Sequence, residues 1–277
     1  MGLIDASLLL LLGFAVGVPM SMVGLGGGLL IVPALILVFG LPAQNAVAIS
    51  LVAMMGTTVS ASIGYIRHGR VDYKLGLLYD VLDVPGVIAG AYLTTVLPKN
   101  ILAGLCGLFI MSISLLLIKN RRNRSAARST KKGEQNTGIA WRRRKVDSFN
   151  QIFEYVISKP SLALISSFTG GLVTGLAGLG GGITDTTTMI LIGVPPHIAV
   201  ATSEFAMALT NGMGVVAHGV LQNILWDYAF PLTIGTFFGA QIGVLATKRV
   251  KGVTLTKMLS AIALILGLRL ILLLFQI

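Results

Sequence analysis

The chain has 277 residues, 55% apolar and 11% charged, with a mean hydropathy of +0.87. Soluble domains carry about 25% charged residues, so an ordinary soluble enzyme, a disordered protein and a secreted disulfide scaffold are all excluded. The net charge of +11 is concentrated: eleven Lys or Arg and two acids (Glu134, Asp147) lie between Lys119 and Asn150, and the rest of the chain is nearly neutral.

Ten apolar segments are expected, at about 6–23, 25–39, 45–66, 75–97, 101–118, 161–178, 180–193, 198–217, 228–247 and 255–275. Most approach the roughly 20 residues that a helix needs to cross a bilayer. The first carries no basic n-region or cleavage site and is expected to remain in the mature protein. The second and seventh are too short to span comfortably, and each begins in a glycine cluster. The basic block separates the halves, giving a first membrane repeat at 1–118, a basic loop at 119–160 and a second repeat at 161–277. Such a loop is expected in the cytoplasm by the positive-inside rule, where it would meet anionic lipid headgroups. Its aromatic residues are not interleaved for base stacking, so no nucleic-acid partner is expected.

The halves repeat each other. Gly24-Leu25-Gly26-Gly27-Gly28 recurs as Gly178-Leu179-Gly180-Gly181-Gly182, and Ala46-Val47-Ala48-Ile49-Ser50 as Ala199-Val200-Ala201-Thr202-Ser203. His68-Gly69 returns as His218-Gly219, Asp72-Tyr73 as Asp227-Tyr228 and Gly90-Ala91 as Gly239-Ala240. Matches in the same order mark an internal duplication. Loop 67–74 is basic and its counterpart 218–227 is not, whereas loop 98–100 has one lysine and its counterpart 248–257 has four basic residues. Opposite charge bias at equivalent loops is what inverted repeats require. The expected fold is therefore an all-α polytopic membrane protein. It has two inverted repeats of about five segments, each with a short broken or re-entrant helix after its glycine cluster.

The glycine clusters are the sharpest candidate site. Gly-x-Gly-Gly-Gly is poor helix former, and freed backbone groups at membrane depth are tolerated only against protein or a water-filled cavity. A break followed by a short helix presents unpaired amides at a positive dipole end. Broken helices at matching places in two halves mark substrate sites in secondary transporters. The substrate-binding candidates are Gly24, Gly26, Gly27, Gly28, Gly178, Gly180, Gly181 and Gly182. The alternative is close helix packing. On the helices that follow, Ser50, Met54, Thr57 and Ala61 share one face, matched by Ser203, Met207, Thr210 and Gly214. The hydroxyls of Ser50, Thr57, Ser203 and Thr210 are further ligand candidates, unless they bond back to their own helix carbonyls.

Four acids fall in apolar runs: Asp80, Asp83, Asp185 and Glu204. Intramembrane carboxylates are costly and are functional candidates by default. Glu204 and Asp185 are the candidates for proton coupling, with helix capping as the alternative for Asp185. Asp80 and Asp83 are expected to face water near a helix end, and His68 and His218 to sit at opposite interfaces. The single cysteine, Cys106, forms no intrachain disulfide. No metal or cofactor site is expected, since no cluster has ligand spacing. No hydrolase elbow, His-Glu-x-x-His or Walker loop is present, so an enzyme is not expected.

The duplicated motifs resemble the TauE/SafE family of sulfite exporters. The resemblance rests on Gly24 to Gly28 with Pro33, Gly178 to Gly182, Ala199 to Ser203 and the His-Gly-x-Val-Asp-Tyr stretch at 68–73. It implies a permease of the inner cell membrane for sulfite, sulfonates, thiosulfate or related sulfur-containing anions. One departure is Thr187 in the position of Pro33, within Thr184-Asp185-Thr186-Thr187-Thr188. Export of an anion from a negative interior gains about 2.3 kcal/mol per charge per 100 mV, whereas uptake needs a coupling ion. A proton- or cation-coupled importer and a non-transporting scaffold or enzyme are the alternatives.

Overall fold

The computed structural model describes residues 2–24, 26–127, 141–148, 150–157, 160–246 and 252–273. Ten helices and one hairpin occur in the order α1 (Leu3–Val23), α2 (Gly28–Leu37), α3 (Ala43–Arg67), α4 (Tyr73–Val96), α5 (Lys99–Ala127), β1 (Trp141–Val146), β2 (Ile152–Ile157), α6 (Pro160–Ala177), α7 (Gly182–Leu191), α8 (Pro196–Val220), α9 (Trp226–Ala246) and α10 (Gly252–Leu273). Ile4–Val23, Ala43–Arg67, Tyr73–Val96 and Trp226–Ala246 are each long and apolar enough to cross a membrane, and shorter apolar helices flank them. Leu8, Leu11, Val81, Tyr92, Phe230, Phe238 and Leu245 are exposed, as an apolar outer surface against lipid requires. This is an all-α polytopic membrane protein.

The duplication is visible in the packing. Helix α1 lies along α9 as α6 lies along α4, and α3 meets α8 at the centre. Each unit therefore borrows one helix from the other half: α1, α2 and α3 with α9, and α6, α7 and α8 with α4. Within a unit the long helices approach closely. A β-carbon on Gly17 would press into the backbone of Thr236, and one on Gly171 into the backbone of Asp83. Small residues permit this contact where the surrounding lipid supplies no hydrophobic drive.

The repeats are inverted. The Asn45 side-chain amide, near the start of α3, donates to the Asn223 carbonyl just beyond the end of α8 at 2.8 Å. A β-carbon on Gly214 would lie 3.1 Å from Leu51, and Val71, past the other end of α3, clusters with Ala201 near the start of α8. Equivalent helices thus run antiparallel, and the two-fold relating the halves lies in the membrane plane.

The register of the repeat differs from the sequence matches by one helical turn in places. Tyr65 Oη donates to the Ser21 carbonyl at 3.1 Å, and His218 Nε2 bonds the Gly175 carbonyl at 3.1 Å. Each pair joins a crossing helix to the last turn of α1 or α6. The counterpart of His218 is therefore Tyr65, not His68, and His218 is fully buried near the end of α8. Likewise Gly239 faces the Phe14 carbonyl as Gly86 faces that of Phe168, so Gly239 matches Gly86 rather than Gly90.

The segment expected to be a basic loop has structure of its own. Helix α5 continues to Ala127, and β1 and β2 pair antiparallel from Trp141↔Ile157 to Val146↔Ile152. The hairpin docks on the turn between α3 and α4. Ser148 N donates to the His68 carbonyl at 3.1 Å, Arg70 Nη2 to Asp147 at 2.9 Å, and Tyr155 Oη to Asp72 at 2.7 Å. Loop 67–74 and the hairpin therefore share one membrane face, and 218–227 lies on the other. Of the loop 248–257, residues 248–251 lie outside the described residues.

Candidate functional site

The two glycine breaks cross at the middle of the molecule. Helix α1 ends at Gly24 in left-handed backbone, and α2 begins four residues later at Gly28, with Gly27 as an N-cap that supplies no side-chain bond. The second break repeats this from Gly178 to Gly181, again without a capping side chain. Gly26 and Gly180 have φ of 73° and 78°, where a β-carbon is strained. A β-carbon on Gly28 would collide with the Gly178 carbonyl, and one on Gly182 would stand 2.7 Å from the Gly24 carbonyl. The backbones of the two halves are thus in contact, and only glycine fits.

Met54 and Met207, near the midpoints of α3 and α8, close over the crossing. A β-carbon on Gly26 would lie 2.8 Å from Met54 Cε and 3.5 Å from Met207 Sδ. Both methionines are fully buried. The first amides of α2 and α7 have no carbonyl in their own helix to pair with. Two positive helix ends therefore approach one place from opposite sides of the membrane.

The four hydroxyls divide. Ser50 Oγ donates to the carbonyls of Val47 at 2.8 Å and Gly178 at 3.0 Å, and Ser203 Oγ to that of Gly182 at 3.4 Å. Both serines brace the glycine breaks. Thr57 Oγ1 turns back to the Ala53 carbonyl at 3.3 Å, the local bond expected of a helical threonine. Thr210 donates to Asp80 Oδ1 at 2.9 Å and Asp83 Oδ2 at 3.3 Å.

Asp80 and Asp83 do not face water. Asp83 is fully buried and Asp80 nearly so, because α6, α7 and α8 cover that face of α4. Asp185 joins them from the first turn of α7. It makes no capping bond: its two oxygens have no hydrogen-bond partner. A β-carbon on Gly170 would lie 3.5 Å from one oxygen of Asp185 and 3.5 Å from one of Asp83, and a β-carbon on Gly181 touches both carboxyls as well. Glu204 is fully buried on α8 with neither oxygen partnered. Sequence reasoning named all four acids but not their grouping. Tyr79, whose buried hydroxyl also lacks a partner, was not found. Its spacing from Asp83, one helical turn, was the available signal.

The hairpin closes the end of this region. Tyr155 and Ile157 pack with Leu75, Tyr79, Met189 and Ile198, and Tyr155 holds Asp72, the residue that caps α4 through Leu75 N at 3.3 Å. Burial, with the neighbouring Asp72, pushes the Tyr155 hydroxyl well above the usual tyrosine range, so it remains a donor. Among the described residues no group of three His, Cys, Asp or Glu is arranged to hold a metal ion.

Comparison with known proteins agrees with this architecture. The family model described as sulfite exporter TauE/SafE matches residues 9–270. The chain is 30% identical to the probable membrane transporter protein YunE of Bacillus subtilis (strain 168), over 95% of this chain and 96% of that one. It is 25% identical to the probable membrane transporter protein YdhB of the same organism, over 85% and 88%. A shorter match, 37% identical over 26% of this chain and 15% of the other, is to sulfite exporter TauE/SafE family protein 3 of Arabidopsis thaliana. No solved structure matches significantly. With inverted repeats, crossing breaks and a family match over nearly its whole length, this chain is a multi-pass membrane transporter and belongs to the sulfite exporter TauE/SafE family.

Proposed function

We propose that this transporter carries a small sulfur-containing oxyanion, such as sulfite, thiosulfate or a sulfonate, out of the cell across the inner membrane. The observation that carries the reading is the crossing of the two glycine breaks, where the positive ends of α2 and α7 converge without a side-chain cap. The substrate oxygens would be held by the amides around Gly26 to Gly28 and Gly180 to Gly182. Ser50 and Ser203 fix those loops, and Met54 and Met207 move aside as flexible covers. No Lys or Arg falls within either cluster, and neutral donors hold an anion weakly enough to release it, as permeation requires. Membrane potential then drives the anion outward.

A second reading, uptake coupled to protons through Asp185 or Glu204, is favoured by the carboxyl oxygens of both being buried without partners. Membrane scaffolding alone has no such support. The basic strand is proposed to lie at the cytoplasmic surface, where a depression of about 420 Å³ lined by Arg142, Arg143, Arg144 and Glu154 fits anionic lipid headgroups.

Counterflow in liposomes containing only this protein tests the reading. Exchange of labelled sulfite, thiosulfate, sulfate or methanesulfonate against the same unlabelled anion is expected for at least one of the four. Absence of exchange for all of them, from correctly folded protein, would contradict it.

A further inference from the structure

We propose that Asp80, Asp83 and Asp185, together with Tyr79 and Thr210, form one proton-carrying site that admits the anion to the α7 end of the glycine crossing. A proton then travels with each anion, so a divalent anion such as thiosulfate still leaves with net negative charge and is driven outward by the membrane potential. The proposal deepens the reading above and rests on it for the position of the anion.

Three carboxyls from α4 and α7 occupy one buried place. Asp80 Oδ2, Asp83 Oδ1 and both oxygens of Asp185 have no hydrogen-bond partner. The Tyr79 hydroxyl is a separate group: fully buried, unpartnered, and one helical turn before Asp83 on α4. Thr210 supplies a hydrogen bond to both α4 carboxyls. Among the described residues every ion pair lies at the hairpin, so no cation neutralises the group. Adjacent carboxylates in a dry site cannot all be ionised. They must share protons, and they titrate as a set.

Other titratable groups stand apart. Helix α6 carries none, and α7 carries only Asp185. On α8, Glu204 is three residues beyond Ala201, which packs with Tyr65 of α3, His218 bonds Gly175 and Asn223, and His197 lies at the helix start. Asp72, below the first turn of α4, is engaged by Tyr155 and by Arg143 at 3.7 Å.

The site adjoins the crossing. A β-carbon on Gly181 would stand 3.1 Å from Asp185 Oδ2 and 3.5 Å from Asp83 Oδ2. Ionised carboxylates there cancel the positive end of α7 and repel an anion, and protonated ones do not. A carboxylate oxygen takes a proton from water on one side, forming an O–H bond, and the anion binds. On the other side the anion leaves, the O–H bond breaks and the proton returns to water.

Two measurements test this. The first is the infrared C=O band of protonated carboxylic acids in the purified protein in lipid. The band is expected at neutral pH and should weaken in Asp83→Asn and Asp185→Asn, with Asp80→Asn as a further variant if one of these fails to insert. An unchanged band in every folded variant would overturn the proton site. The second imposes a pH gradient on proteoliposomes with thiosulfate, sulfate or methanesulfonate, which stay ionised. The ratio of flux with the gradient to flux without it should fall at least tenfold in Asp83→Asn and Asp185→Asn relative to wild type. A wild-type response in both would overturn the coupling. If wild type exchanges none of these anions, or sulfite, yet the infrared band behaves as expected, the glycine-site reading fails and the proton site stands.

Discussion

The unit of α1, α2, α3 and α9 and the unit of α6, α7, α8 and α4 follow one backbone plan and bury different chemistry. The Asp83 carbonyl faces Gly171 as the Thr236 carbonyl faces Gly17, so Asp83 corresponds to Thr236 and, one turn earlier, Asp80 to Thr233. Asp185 and Ile31 are each the fourth residue of their short helix, and Thr210 corresponds to Thr57. One unit therefore encloses three carboxyls where the other has two threonines and an isoleucine. Those threonines are satisfied: Thr236 Oγ1 donates to the Ala53 carbonyl at 2.8 Å and Thr233 Oγ1 to that of Ala229 at 2.7 Å. The carboxyls are not. The inverted plan demands glycine where backbones touch and leaves the neighbouring side chains free to diverge, so the chemistry resides in the asymmetry.

Exchanging residues between the units tests this most severely. Ile31→Asp would put a carboxyl into a fully buried apolar site without partners, and should destabilise the protein by several kcal/mol or abolish insertion. Asp185→Ile removes a buried carboxyl that no cation neutralises among the described residues and should leave the melting temperature unchanged or raised. Melting of the two purified variants in one detergent compares them; equal losses would remove the distinction between the units.

The hairpin sharpens the contrast, because it covers the end of the acidic unit. Asp147→Asn weakens the bond with Arg70, and hydrogen bonds to charged groups contribute about 1.5–3 kcal/mol. Trypsin should cut at Arg142 to Arg144 faster in this variant while the membrane helices stay intact; an unchanged rate would mean that docking does not depend on this pair.

The smallest effects concern the serines. Ser50→Ala should cost about 0.5–1.5 kcal/mol for its bonds at the second glycine break. Ser203→Ala should cost less, because its bond is longer at 3.4 Å. Chemical denaturation in mixed micelles should rank them in that order, and the reverse order would show that the two breaks are not braced as described.

Much of this plan was legible in the sequence. The contiguous glycines announced the breaks, since no packing motif needs Gly-x-Gly-Gly-Gly, and the unequal basic loops announced inversion. The register between α4 and α9 was not legible. Gly86 and Gly90 on one helix, and Gly235, Gly239 and Gly243 on the other, repeat every four residues, so a slip of one turn matches as well as the true pairing. Tyr65 and His218 were missed as counterparts because they share a role, hydrogen bonding to a carbonyl in the last turn of α1 or α6, and not an identity. The acidic group was hidden because spacing along α4 shows which residues share a face but not which helix covers it. The hairpin was hidden because Ile152–Ile157 is a short apolar run beside a dense block of charge.

Counterflow in glycine-to-alanine variants tests the central claim, that the crossing of the two breaks is the transport site. A β-carbon on Gly28 or Gly182 enters the opposite half's backbone, whereas one on Gly212 meets nothing nearer than Met55 Cε at 4.0 Å. Anion exchange should fall at least tenfold in inserted, folded Gly28→Ala and Gly182→Ala and stay at the wild-type rate in Gly212→Ala. Wild-type exchange in all three would contradict the account.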